Sequence, residues 1–155
     1  MAALISRVFR RRLRSESGQE LIEFGLTLPI LLLVVLGIIE FGLLFREYEV
    51  ITNAAREGAR IAVLPTYAKA DAENRVDQYL STAGLDSTLW GKTVNDPVPV
   101  SLGGNCMSTV EVDVTYPHGF WFLRGIGTYF GASFGTITLT ARSTMRTEVA
   151  AGTCP

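Results

Sequence analysis

The residues best suited to chemistry fall within eight positions, Ser17-Gly18-Gln19-Glu20-Leu21-Ile22-Glu23-Phe24. Gly18 closes a basic head: residues 1–18 carry five arginines (Arg7, Arg10, Arg11, Arg12 and Arg14) against one acid, Glu16. A cut after Gly18 would remove those arginines and leave a new α-amino group on Gln19, four residues before Glu23 and directly in front of an apolar run. A carboxylate at the head of a membrane helix is costly while unpaired. Two arrangements relieve it. Glu23 could pair with the N-terminal amine of an adjacent subunit in a helical stack, which turns desolvation into a demand for register between neighbours. It could equally lie among lipid headgroups as a helix N-terminal acid, favoured by the helix dipole.

Other chemistry is sparse. Cys106, His118 and Cys154 would make a metal site lacking a fourth ligand and the usual close ligand pairs, so no metal is expected. With a single histidine, no nucleophile elbow and no phosphate-cradling glycine loop, neither an enzyme nor a cofactor is expected. His118, between Pro117 and Gly119, reads as a turn residue.

The element that must position Glu23 is the apolar segment Leu21 to Phe45, which between Phe24 and Ile39 has no charge and one hydroxyl, Thr27. Roughly twenty such residues span the hydrocarbon of a bilayer. A secretory signal has a shorter apolar core, about 7–15 residues, and ends in a small-x-small site, whereas Glu40-Phe41-Gly42-Leu43-Leu44-Phe45 follows here. The basic head fits a cytoplasmic flank. A nucleic-acid arm is the competing reading, but the adjoining span explains the arginines without that partner. Pro29 lacks a helix donor and its ring opposes the carbonyl of Gly25, so a kink or local loosening that lets the span lengthen is expected over that turn. Glu40, about 25 Å along the helix from Glu23, is expected near the outer interface without needing burial.

Beyond the span the helical period persists. Phe41, Leu44, Tyr48, Ile51, Ala55, Gly58 and Ala62 share one stripe, so a continuous helix is predicted to Leu64, stopped by Pro65. A second helix is predicted over Lys69–Ala83, capped by Gly84. The period then becomes two. Val110, Val112 and Val114 alternate with polar residues, as do Ile137, Leu139 and Ala141, predicting two antiparallel strands. Residues 91–105 read as loop with an edge strand near Val98 to Leu102. Phe120-Trp121-Phe122 is either core or an exposed patch. Antiparallel neighbours would bring Cys106 and Cys154 to one sheet edge, where an extracytoplasmic domain would oxidise them to a disulfide; two free thiols is the other reading.

The fold class is therefore α+β: a long N-terminal transmembrane and stalk helix, then a small domain with a second helix and a short antiparallel sheet. Its expected divisions are a basic leader (1–18), a transmembrane helix (19–45), an amphipathic stalk (46–64) and an extracytoplasmic domain (65–155).

The arginine-rich leader, Gly18, Glu23 five residues later, Phe24 and an uninterrupted apolar helix resemble the type IV prepilin processing site. More narrowly, Glu23-Phe24, Leu28-Pro29-Ile30-Leu31-Leu32-Leu33, Ile39-Glu40-Phe41-Gly42 and Asn53-Ala54-Ala55-Arg56-Glu57-Gly58-Ala59-Arg60 resemble the TadE-like family of the Tad, or Flp, pilus system. The resemblance is dense over residues 15–64 and thin afterwards. It implies a pilin-like fold and a minor pilin or pseudopilin in the inner membrane, N-terminus cytoplasmic, cut after Gly18 by a prepilin peptidase. Gly18 and Gln19 would form the processing site, with Glu23 and, more weakly, Phe24 serving assembly. Implied partners are the peptidase, other pilins or pseudopilins, the assembly platform and membrane lipid. The alternative is an unprocessed single-pass protein whose outer domain binds a partner.

Overall fold

The computed structural model describes residues 16–102, 105–129, 131 and 133–147. Helix α1, Glu16–Ala62, holds 47 residues and so runs for about 70 Å. Every residue from Gly18 to Val35 is exposed. The other half of α1 packs on the domain, where Ile51, Ala54, Ala55 and Ala59 are fully buried.

Helix α2, Lys69–Thr82, returns beside α1 and buries Ala72, Val76 and Leu80. Its first turn is fixed by the Ala68 N–H donating to the Asp71 carboxylate at 2.8 Å. Its last turn ends as the sequence predicts: Gly84, at φ 80°, donates to Ser81 while Leu85 donates to Leu80, a Schellman closure that wants a residue without Cβ strain. Arg46 of α1 donates to the Ala83 carbonyl at 2.8 Å, adding a cation where the helix dipole is negative.

The sheet is built on strand β3, Asn105–Gly119. Strands β1, Gly91–Val94, and β2, Val98–Leu102, lie end to end along one side of β3, and β4, Thr136–Thr147, lies along the other; all pairings are antiparallel. The register runs from Ser108↔Thr147 to Gly119↔Thr136. Val110, Val112, Val114, Leu139 and Ala141 point to the helices and close the core. On the opposite, polar face Arg142 donates to its cross-strand partner Asp113 at 2.7 Å, and this carboxylate, with Glu111, raises the arginine's proton affinity further.

Gly58 marks the closest crossing: a Cβ there would meet Val76 Cγ2 at 2.5 Å and Val112 Cγ1 at 3.3 Å, so only glycine lets α1 seat between α2 and β3. The short helix α3, Phe122–Tyr129, joins β3 to β4 at the end of the sheet nearest the bare half of α1.

The α+β architecture is the expected one. Strand β1 was expected to be loop. Its four residues include a glycine and bury only Val94, so they carry no period of their own; pairing with Val112 to Thr115 makes them a strand. Cys106 stands near the start of β3 opposite Ser101 and is disulfide-bonded; Cys154 lies outside the described residues.

Candidate functional site

Two regions bear on function, one at the head of α1 and one where α1 meets the domain. At the head, Gly18, Gln19, Glu23, Phe24, Gly25 and Pro29 all lie in helix and are exposed. Nothing lies within 4 Å of where a Gly18 Cβ would stand, so the fold itself places no demand for glycine there. The Glu23 carbonyl accepts the Thr27 hydroxyl at 2.8 Å, while among the described residues no group pairs with the Glu23 carboxylate. Pro29 sits inside a helix that continues on both sides, with Gly25 one turn before it.

At the junction, Glu40 is fully buried. Its carboxylate accepts the backbone N–H of Trp121 at 2.5 Å and of Phe122 at 2.9 Å. These are leading N–H groups of α3, which have no partner inside their own helix, so a side chain from α1 caps α3. This corrects the expectation that Glu40 lies unburied at the interface. The domain folds over it and supplies two donors, which makes burial of a carboxylate tolerable.

His118 is also corrected. It is in β3, opposite Ile137, and only 3% exposed. Strand pairing continues through Gly119, and Pro117 is tolerated because pairing with β1 stops at Thr115, leaving β3 with a neighbour on one side only. His118 Nδ1 is 2.7 Å from Glu47 of α1, its ring meets Phe120 edge-on at 5.1 Å, and its Nε2 has no partner among the described residues. Tyr116 lies on the same face, and burial raises the proton affinity of its phenol, with Glu47 adding to the effect. Glu47, Tyr116, His118 and Trp121 line a cleft of about 550 Å³.

The sequence reasoning missed Glu47 and Tyr116 and misplaced the stripe of α1. Phe41 and Tyr48, expected on its inner face, are exposed, whereas Glu40 and Glu47 share the buried side with Leu44, Ile51 and Gly58. The signal was present: Glu40, Glu47 and Ala54 recur every seven residues, which keeps them on one face. An acid on that face is unexpected until its partner in the domain is known. The aromatic segment divides, with Phe120 buried and Trp121 84% exposed.

Among the described residues one helix, Gly18–Ala62, is long and apolar enough to cross a membrane, and its most apolar window is only 6% buried, unlike the core helix of a soluble domain. Such a bare helix carrying an α+β head defines the architecture of a single-pass membrane protein. Residues 18–60 match the family model described as TadE-like protein, the family that the order of N-terminal motifs resembles, and that segment associates the chain with the Tad pilus. The match covers the start of α1 from Gly18, the apolar run and most of the packed half of α1, and none of the sheet. Neither a curated protein nor a solved structure matches the chain.

Proposed function

We propose that this chain is a minor pilin or pseudopilin of a Tad (Flp) type IV pilus, cut after Gly18 by a prepilin peptidase and assembled through α1. The observation that carries this reading is the head of α1: a long exposed apolar surface beginning beside an acid, Glu23, whose carboxylate finds no partner among the described residues. In this reading the partner is a neighbouring subunit. After cleavage, the Gln19 amine of a neighbouring subunit supplies a positive charge near Glu23, and Phe24 packs beside it. A mismatch in stagger would leave the carboxylate desolvated and alone, so the pair fixes axial register.

Gly18 serves the peptidase in this reading. The scissile bond lies in the first turns of a helix and must unwind before it can be cut, and glycine weakens a helix by about 1 kcal/mol relative to alanine. Membrane lipid surrounds α1 before assembly, with the N-terminus cytoplasmic and the head outside the inner membrane. Other pilins or pseudopilins and the assembly platform replace that lipid afterwards. The work is structural, with no catalytic step assigned to the chain.

Mass spectrometry of the membrane-purified protein, from cells with and without the peptidase, tests the reading. The expected mature chain starts at Gln19 only where the peptidase is present. An intact arginine head in both strains would favour an unprocessed single-pass protein instead.

A further inference from the structure

We propose that Trp121 and α3 form an interfacial foot that rests in the outer headgroup region of the bilayer crossed by α1 and sets the depth of the span. The inference builds on the reading of α1 as a membrane helix. Its occupant is phospholipid, at the boundary between headgroups and acyl chains.

The Glu40 cap fixes the level. Trp121 and Phe122 are tied by their backbone N–H groups to a residue seventeen positions beyond Glu23, about 25 Å along the helix, against a hydrocarbon core of about 30 Å. Exposed Phe41, Leu43 and Phe45 continue past Glu40, and the first basic residue of that stretch is Arg46, about 35 Å from Glu23. The outer boundary therefore falls between Glu40 and Arg46, where the foot is attached.

The chemistry of the foot fits that level. Trp121 is 84% exposed, and Phe122, Phe134 and Ile137 are also exposed at this end of the sheet, where β3 gives way to β4. An exposed apolar cluster in water is unfavourable, but an indole, apolar with one N–H donor, favours the membrane interface. Arg124, the one charged residue of α3, is exposed and suits lipid phosphate. Leu43, exposed on α1, lines the same cleft as Trp121 and Phe122, so lipid that covers the exposed apolar surface of α1 reaches the foot. With the foot in the headgroups, α1 resists sliding in either direction: inward motion would bury Arg124, and outward motion would expose Trp121 and Phe122 to water.

The full chain has two tryptophans, so Trp90→Phe leaves Trp121 as the reporter. Reconstituted in phosphatidylcholine–phosphatidylglycerol vesicles with brominated acyl chains, it should show blue-shifted emission, stronger quenching by bromines near the headgroup than by deep ones, and protection from aqueous iodide. Because Trp90 donates to Asp77, the same readings are also taken as the difference between wild type and Trp121→Phe, which removes only an exposed ring. Emission quenched by iodide and by neither lipid would overturn the proposal. Shielding from both lipid and iodide would point to a protein neighbour and overturn it equally. A second reporter, Leu33→Trp with both native tryptophans replaced by phenylalanine, reads the span alone. Deep quenching there with an unquenched Trp121 sinks the foot and keeps the span; no quenching there removes both.

Discussion

The carboxylate of Glu40 accepts the backbone N–H groups of Trp121 and Phe122, residues 81 and 82 positions away. This side chain from the apolar helix starts a helix of the head domain, so the span and the head are joined at a buried carboxyl group. Replacing Glu40 by alanine would leave two donors and a void. Each buried unsatisfied group costs about 1–3 kcal/mol, so with two donors left unpaired Glu40→Ala should destabilise the detergent-solubilised protein by roughly 2–6 kcal/mol, with faster hydrogen exchange in α3. Glu40→Gln, which keeps one acceptor, should lose less. Equal melting temperatures for all three proteins would contradict the capping role.

Gly58 offers a steric test. A methyl group there meets the γ-carbons of Val76 and Val112, and overpacking of this kind costs about 1–3 kcal/mol, offset by up to about 1 kcal/mol of helix propensity. Gly58→Ala should therefore lower the melting temperature, while Gly42→Ala, which meets nothing within 4 Å, should not. The opposite order would mean that the crossing is looser than described.

Two groups give the head a pH dependence at opposite extremes. Burial raises the Tyr116 phenol above its ordinary 10.0, so the fold prefers the protonated form; this contribution is present below pH 10.0 and is lost as pH rises through the folded value. Tyr116→Phe should remove that alkaline component from a stability–pH curve. At the acid end, the backbone N–H and then the hydroxyl of Thr88 hold Asp86 below its ordinary 3.8. Its contribution is present above pH 3.8 and is lost as pH falls through the folded value. Asp86→Asn should flatten only the acid limb.

Cys106 lies two residues before Ser108, whose partner across the sheet is Thr147, near the end of β4. The chain that continues to Cys154 thus leaves beside Cys106. A Cys106–Cys154 bond should show as no free thiol until reductant is added. By the loop-entropy account its loss in Cys106→Ser would lower stability by about 3–5 kcal/mol. Two titratable thiols in the oxidised protein would exclude it.

Pro29 should act in assembly rather than insertion. Since the ring leaves the Gly25 carbonyl without its helical donor, Pro29→Ala should tighten that turn, leave membrane insertion unchanged and reduce pilus output, read by membrane fractionation and pilus yield. Unchanged output would argue against a role in lengthening the span.

Periodicity located α1, α2 and the Val110 and Leu139 strands, while the Val98 edge strand was read from a proline- and glycine-rich stretch. Those signals are local, since apolar spacing of about 3.6 or 2 commits a segment whatever it later meets. Gly18, Glu23 and Phe24 lie on one continuous run, so their spacing is read directly from the chain. Strand β1, the burial of Glu40 and the place of His118 were not legible. Each depends on a partner far along the chain: β1 on the flank of β3, Glu40 on two N–H groups of the β3–α3 junction, and His118 on Glu47. An acid on a helix reads as exposed until a donor is known to cover it, and only the packed fold brings that donor within hydrogen-bonding distance.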